Sequence, residues 1–422
     1  MVLKKPNEIF RCLLSRCNFL SNDIVSKNTM FFLLTLSIAA AAGFLFTIIA
    51  AQMYTIESVG VAALLLSYAS IVILITRFGT EQSMIRYYRE GDKSSIFWSS
   101  VFITTISAVL LSLLLIIISY SGIFGIDYLF MYSVVFIISV TIFSINQVCG
   151  GLFLASGKTI LYFIQNSIIS SRFILLFVFI PFGVLGIFSS LTIVCGVSAI
   201  FSFLLLFHFG LKLQIPDKKF LENSFHYSMS NYLSDCLLAA PVYLIPIVVF
   251  YLLGHNETAV YSVSYAFASI AFIVPVSIGY AFFMSGCQEK TTITSMKNMI
   301  WVALIFLIGI TLLFIFLGKE IVNLLGPEYS GAYELIVIIM SSSFFALAFQ
   351  IYSAEFKIFK QMKKILILNC IFFVAVMTLS FFFIMNLGLV GAGYAWIAAY
   401  AICVVPMIFY PRLIKKGILS WV

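Results

Sequence analysis

The sequence predicts an all-α integral membrane protein of twelve transmembrane helices, built as two parallel six-helix repeats. The prediction depends on the composition, the apolar runs and the placement of the basic residues. The 422 residues are 63% hydrophobic and only 9% charged, whereas soluble domains carry about 25% charged residues. Such a chain cannot cover a water-facing surface, which excludes a soluble enzyme, a nucleic-acid-binding protein and a disordered protein.

Twelve apolar runs are long enough to cross a bilayer, which takes about 20 residues of helix. Runs such as residues 110–119 (LLSLLLIIIS) do not alternate apolar and polar side chains, which excludes β-barrel strands. Before the first run, residues 8–20 predict a short helix lying on the membrane surface. The twelve runs lie near residues 29–51, 59–77, 96–120, 128–150, 160–181, 183–211, 226–252, 258–283, 299–317, 331–353, 365–386 and 388–410.

The basic residues lie almost entirely on one side of the predicted spans. Of 24 lysines and arginines, 22 fall in the termini and in alternate loops, Lys319 falls on the opposite side, and Arg172 falls inside a span. Basic loops stay in the cytoplasm, so the pattern predicts that both termini are cytoplasmic. The net charge of +8 is therefore a signal of topology, and no nucleic-acid partner is predicted.

Three pairs of segments recur in the same order in both halves of the chain. Residues 57–71 resemble 256–270 at an offset of 199, residues 151–168 resemble 354–371 at 203, and residues 182–186 resemble 387–391 at 205. Six spans is an even number, so both halves enter the membrane from the same side and form parallel repeats. The predicted lobes are residues 1–213 and 214–422, joined by the polar loop 212–225.

Motifs for catalysis, nucleotide hydrolysis and metal binding are absent from the sequence. It holds no GxxxxGK[ST], HExxH or GxSxG motif, its eight cysteines form no CxxC pair, and its three histidines are scattered. We therefore expect no enzyme activity, no catalytic residue, no metal and no cofactor.

The fifth predicted span contains one arginine, Arg172. It lies 14 residues beyond Lys158, which is a depth of about 20 Å at 1.5 Å per residue. An arginine at that depth costs at least about 2.5 kcal/mol on insertion scales, so it must face protein or water. Two interpretations stay open: Arg172 binds an anion in a central cavity, or it stabilises the bundle by bonding helix carbonyls.

The seventh span contains Asp235, the one carboxylate that the sequence places near the middle of a span. We expect it to be buried and to serve in ion coupling or gating. The alternative is a helix–helix hydrogen bond with Asn231 as its neighbour. Pro241 and Pro246 in the same span predict a bend or an unwound stretch.

A charged cluster lies at the end of the second span, on the side that carries the basic residues. Arg77 and Glu81 are spaced as an i, i+4 ion pair, and Arg86 and Arg89 follow. This cluster is either a cationic vestibule for a phosphorylated headgroup or a boundary that only fixes topology.

Several of these segments resemble a known family. Residues 57–88 resemble the second-helix region of bacterial polysaccharide transporters, residues 155–168 resemble their fourth-to-fifth helix connection, and residues 231–241 with 255–270 resemble their seventh-to-eighth helix unit. The chain is most similar to the O-antigen flippases of the multidrug/oligosaccharidyl-lipid/polysaccharide exporter superfamily. The second half departs from the pattern, because residues 274–286 hold no arginine or glutamate.

The resemblance implies a multi-pass protein of the bacterial inner membrane that moves undecaprenyl-diphosphate-linked O-antigen units from the cytoplasmic to the periplasmic leaflet. It implies alternating access with ion coupling, and a polymerase and chain-length regulator of the same pathway as partners. Arg172, Arg77 and Arg86 would bind the anionic cargo, and Asp235 and Glu81 would couple or gate. A drug antiporter of the same superfamily and a membrane O-antigen polymerase remain as alternatives.

Overall fold

The structure is a computed structural model that describes residues 24–88, 92–120, 127–216, 218–287 and 293–409. The predicted surface helix at residues 8–20 lies outside these ranges. Within them the chain forms fifteen α-helices, two 3₁₀ helices and no β-strand. The first-half helices are α1 (Ile24–Met53), α2 (Ile56–Thr76), α3 (Thr80–Tyr87), α4 (Lys93–Tyr120), α5 (Asp127–Met131), α6 (Ser133–Ala155), α7 (Thr159–Ser170), α8 (Arg172–Phe179) and α9 (Gly183–His208). The second-half helices are α10 (Lys218–Leu253), α11 (His255–Cys287), α12 (Ile293–Asn323), α13 (Ala332–Ile358), α14 (Met362–Leu387) and α15 (Val390–Phe409).

Twelve helical crossings account for the apolar length of the described chain. Eleven stretches are long and apolar enough to span a membrane, and one of them, Thr159–His208, has 50 residues. A straight helix of that length would be about 75 Å long, against an apolar core of about 30 Å. Gly183, with a φ of 52°, turns the chain between α8 and α9. Ten single crossings and two from this stretch give twelve, which confirms the predicted fold of a multi-pass membrane protein.

The turn before the fifth span recurs in the second half, at the predicted offset of 203 residues. Lys158 has φ −88° and ψ 58°, and Gln361 has φ −89° and ψ 57°. The amide of Lys158 bonds the carbonyl of Phe153 at 2.9 Å, and the amide of Gln361 bonds that of Phe356 at 2.9 Å. The same backbone turn is therefore built from different side chains.

The turn before the sixth span also recurs, at the offset of 205. Gly183 and Gly388 have positive φ values of 52° and 67°. A Cβ on Gly186 would lie 2.2 Å from the carbonyl oxygen of Phe179, and one on Gly391 would lie 2.3 Å from that of Phe383. Only glycine allows this close approach, so the repeated FGVLG and LGLVG segments mark a shared backbone contact.

The two ends of the bundle differ in charge. We call the end that carries Arg77, Lys158 and Lys212 the basic end, and the end that carries Glu57 and Glu257 the acidic end. The helices run between these two ends, so a position along a helix also gives its depth in the bundle.

At the acidic end the two halves meet through backbone. A Cβ on Gly60 of α2 would lie 1.9 Å from the carbonyl oxygen of His255 at the start of α11. Gln52 also donates a hydrogen bond of 3.4 Å to the carbonyl of Leu324. This end is closed by a contact that leaves no room for a side chain.

At the basic end the two halves meet through side chains of α10, among them Tyr232 and Cys236. The hydroxyl of Tyr232 donates to the carbonyl oxygens of Leu74 and Ile75, at 2.9 and 2.6 Å, in the last turn of α2. Helix α10 is one continuous helix through Pro241 and Pro246. The prediction of an unwound stretch is therefore wrong, because the remaining helix bonds and packing hold α10 together.

Candidate functional site

A cavity of about 450 Å³ lies between the two halves. Helices α1, α2, α6, α8 and α9 of the first half and α10 and α11 of the second half form its walls. Among the described residues that line it, Arg172 is the one charged side chain and no carboxylate is present. The other polar walls are hydroxyl groups, from Thr47, Ser67, Ser70, Ser139, Thr192, Tyr243, Ser262, Tyr265 and Ser269.

Arg172 enters the cavity because the fifth span is interrupted. Helix α7 ends at Ser170 and α8 begins at Arg172, with Ser171 as the turn between them. The amide of Ser171 is shared between the carbonyls of Ser167 and Ile168, at 3.2 and 3.0 Å, and its hydroxyl also bonds Ile168, at 2.7 Å. This tightened turn places Arg172 at the first position of a new helix.

The charge of Arg172 is not neutralised by the described part of the chain. Its Nε atom is buried without a hydrogen-bond partner, and no described carboxylate forms an ion pair with it. Its guanidinium carbon lies 5.0 Å from the ring centre of Phe46. A Cβ on Gly43 would lie 3.3 Å from its Nη2 atom, so glycine leaves room for the group. No described helix carbonyl accepts a hydrogen bond from Arg172, which disfavours the purely structural interpretation.

Arg77 lies where the second span breaks. The chain leaves α2 through Phe78 and Gly79, whose φ values are 43° and 68°, and then starts α3. Arg77 forms an ion pair of 2.9 Å with Glu81 and donates a second bond of 2.9 Å to Gln147 of α6. About a third of each charged side chain is exposed, 35% for Arg77 and 30% for Glu81.

The structure brings some of the predicted site residues together and keeps others apart. Arg77 and Glu81 form one pair, but Arg77 does not line the central cavity. Tyr243 connects the two places, because it lines the cavity and also interacts electrostatically with Arg77. Arg86 lies on α3, and its side chain is outside the described part of the structure.

Asp235 is exposed, so the expectation that it is buried is wrong. It lies three residues beyond Tyr232, which contacts the basic end of α2. It interacts electrostatically with Cys236 and with Tyr280 of α11.

The cavity continues as an open cleft toward the basic end. On α11 its lining includes Ser262, Ala266 and Ser269, and the same helical face continues with exposed residues at 273, 276, 277 and 280. On α1, residues 36–41 are all exposed. The faces of α1 and α11 that border the cavity are therefore uncovered below it, whereas the acidic end is closed.

Two polar residues with notable surroundings gave no usable signal in the sequence. Glu355 of α13 is buried, with 2% of its surface exposed, but it stands beside Lys357 in a charged segment and resembled a surface residue. Gln147 bonds Arg77 across 70 residues of sequence, a pairing that local spacing cannot reveal. The described residues contain no group of three histidine, cysteine or acidic side chains that could hold a metal ion.

The architecture of this chain is similar to that of several solved membrane-transporter structures. Neither a protein-family model nor a curated relative matches the sequence. The structure of lipid II flippase MurJ in an inward closed conformation is similar with a TM-score of 0.73 at 13% identity, covering 91% of this chain and 87% of that one. An inward-facing multidrug resistance MATE family transporter of the MOP superfamily has a TM-score of 0.68 at 15% identity, covering 90% and 97%.

An outward-facing MATE transporter is also similar, with a TM-score of 0.59 at 14% identity, covering 93% of this chain and 96% of that one. These likenesses establish the fold of the chain.

Proposed function

We propose that this protein is a flippase that moves undecaprenyl-diphosphate-linked O-antigen units from the cytoplasmic to the periplasmic leaflet of the bacterial inner membrane by alternating access. The observation that carries the proposal is Arg172, a cation in a central cavity with no carboxylate among its described neighbours. An unneutralised guanidinium in an apolar surrounding favours an anionic ligand, and its planar fork matches a phosphate group.

The walls of the cavity suit a sugar as well as a phosphate. Seven of its polar side chains are serine or threonine hydroxyls. Two of them, Ser67 and Thr47, donate to carbonyls of their own helix at 2.8 and 3.0 Å, which leaves their oxygens free to accept hydrogen bonds from a sugar. The volume of about 450 Å³ fits a diphosphate with its first sugars, so a longer oligosaccharide would extend into the open cleft.

The positive charge of the cavity also favours this proposal over its nearest alternative, a drug antiporter. A drug antiporter for organic cations would need acidic groups in the cavity, and the described lining has none. For a membrane polymerase, the cavity offers no acid/base pair. Both alternatives are therefore less favoured than the transport of an anionic glycolipid.

The proposed direction of transport follows from the charge of the two ends. If the basic end is cytoplasmic, as the predicted topology requires, the open cleft receives cargo from the cytoplasmic leaflet. The closed contact at Gly60 and His255 would then part to release cargo on the other side. Arg77 and Arg86 would attract the diphosphate near the entrance.

Ion coupling is assigned to Asp235, with Glu81 as part of the gate at Arg77. Asp235 is exposed and close to Tyr280 of α11. A conformational change that moves it to a drier surrounding would change its proton affinity. Asp235→Asn should abolish the dependence of transport on a pH gradient and leave the protein folded. Unchanged gradient dependence in vesicles with the Asn variant would remove Asp235 from this role.

The proposed cargo is tested by complementation. In a bacterial strain that lacks its own O-antigen flippase, this protein should restore surface display of O-antigen, given a matching sugar unit. A strain that lacks only its lipid II flippase should not be rescued. Rescue of the second strain and not the first would redirect the proposal to peptidoglycan precursors. Failure in both, with resistance to cationic dyes gained, would favour the antiporter.

A further inference from the structure

A second cavity, of about 230 Å³, lies at the basic end of the first half, away from the central cavity. It is bordered by the turn between α6 and α7, the start of α4 and the end of α9. Two lysines, Lys93 and Lys158, lie on its rim, and its walls are mainly apolar, with Leu152, Phe153 and Leu206 among them. Two cations above an apolar floor form an amphipathic site.

The two lysines face aromatic rings and not carboxylates. Lys158 Nζ lies 3.1 Å from the ring centre of Phe209, and Lys93 Nζ lies 5.0 Å from that of Tyr88. In the described part of the chain neither lysine forms an ion pair. The pKa of Lys158 is lowered by partial burial and by the charge of Lys93, so an anion between the two ammonium groups would relieve their repulsion.

Asp92, the described carboxylate next to Lys93 in the sequence, is bonded to other groups. Asp92 accepts hydrogen bonds from Gln214 at 2.8 Å and from the amide of Ser94 at 2.9 Å. These bonds, with a smaller contribution from the charge of Lys212, lower the pKa of Asp92. Helix α7 also begins at this cavity, and no side chain caps its N-terminus, so its dipole adds to the positive potential.

The internal repeat indicates that Lys158 is not needed for the backbone. Gln361 occupies the equivalent turn with φ and ψ within 1° of those of Lys158. The ammonium group therefore has no role in forming the turn. The charge of Lys158 is therefore explained by binding of a ligand or by another electrostatic interaction.

The surroundings of the cavity favour a lipid over a soluble anion. Past α9, Leu213 and Ile215 are 75% and 88% exposed, beside Phe209 at 51%. Exposed apolar side chains next to lysines at the end of a membrane span are typical of a segment that enters the headgroup layer. A ligand from that layer reaches the site without crossing water.

We propose that this cavity binds the phosphate group of an anionic phospholipid, with Lys93 and Lys158 on the phosphate and the apolar floor against the glycerol and first acyl carbons. The site is independent of the proposed flippase cargo, because it shares no lining residue with the central cavity. It would tie the first half to the lipid surface on one side of the membrane.

The test uses the purified full-length protein in detergent, titrated with phosphatidylglycerol and analysed by native mass spectrometry for bound lipid. A surface lysine contributes about fivefold in affinity for anionic lipid, so Lys93→Gln with Lys158→Gln should weaken binding about 25-fold. Lys93→Arg with Lys158→Arg should retain it. The matched control, Lys357→Gln with Lys363→Gln, removes two exposed charges from the same end of the second half and should change it little.

Equal loss in the pocket and control variants would overturn the proposal, since net charge alone would then explain the binding. Displacement of the lipid by inorganic phosphate at equal concentration would also overturn it, in favour of a soluble anion. If the double variant does not fold, Lys158→Gln alone should fold, because the second half carries glutamine in the same turn. This single variant should still bind the lipid about fivefold more weakly.

Discussion

The two halves of the molecule share their turns but differ in the course of two helices. In the first half the second span breaks after Thr76 and the fifth breaks at Ser171. In the second half the counterparts run unbroken, α11 for 33 residues and α14 for 26. Arg77 follows one break and Arg172 follows the other. At the repeat offset of 203, the residue that corresponds to Arg172 is Ala375.

The second half contains a buried cluster of aromatic side chains. Trp396 is buried and donates a hydrogen bond of 3.2 Å to the hydroxyl of Tyr261. Its ring stacks on Tyr400 at 6.0 Å. The comparison teaches that the repeat fixes the backbone of both halves, while the helix breaks of the first half position the charges. Arg77 and Arg172, the charges that follow the helix breaks, therefore both lie in the first half, whereas Asp235 lies on the continuous helix α10 of the second half.

The strongest test of the shared backbone is a matched pair of glycine substitutions. Gly186→Ala and Gly391→Ala each place a Cβ within 2.3 Å of a carbonyl oxygen, so the backbone must move in both halves. Overpacking of this kind costs about 1–3 kcal/mol. Both variants should lower the melting temperature in detergent by a similar amount. A large drop for one and none for the other would mean that the sixth and twelfth spans are not equivalent.

A smaller loss of stability is expected at the turn before the fifth span, where the two halves use different residues. Gly157 has a φ of 71° and no atom near its Cβ position, so Gly157→Ala adds backbone strain without a clash. The left-handed conformation costs a non-glycine residue about 1 kcal/mol, and Lys360 already bears it in the second half at φ 54°. The control is Gly309→Ala, in the open interior of α12. Gly157→Ala should lower the melting temperature of the protein, and Gly309→Ala should not.

The smallest expected effect concerns the contact between the halves. Tyr232→Phe removes the hydroxyl that bonds the last turn of α2 and keeps the ring. One hydrogen bond contributes about 1 kcal/mol, so the ratio of molecules with α2 and α10 in contact at the basic end to molecules with them apart should fall about fivefold. Spin labels on these two helices measure it. Tyr251→Phe, an exposed tyrosine on the same helix, is the control and should leave the distances unchanged.

Much of the fold could be predicted from the sequence because it depends on apolar length and on repetition. The spans and the offsets of 203 and 205 are visible in single segments and are confirmed by the turns at Lys158 and Gln361. The break at Ser171 could not be predicted, since no glycine or proline marks it in the sequence.

The candidate site was predicted only in part. The depth of Arg172 was sufficient to suggest a cavity, because an arginine inside a span needs protein or water around it. The exposure of Asp235 depends on how other helices pack around α10, which local sequence does not encode. The bond from Arg77 to Gln147 joins two spans and required the folded structure.

The central claim is that Arg172 binds the anionic group of the cargo in the first half. The direct measurement is the affinity of the purified protein for an undecaprenyl-diphosphate-linked saccharide, compared among wild type, Arg172→Ala and Arg172→Lys. A hydrogen bond to a charged group contributes about 1.5–3 kcal/mol, so the Ala variant should bind at least about tenfold more weakly. The Lys variant should retain part of the affinity, because the charge remains and the planar fork is lost. Wild-type affinity in a folded Arg172→Ala variant would contradict the claim.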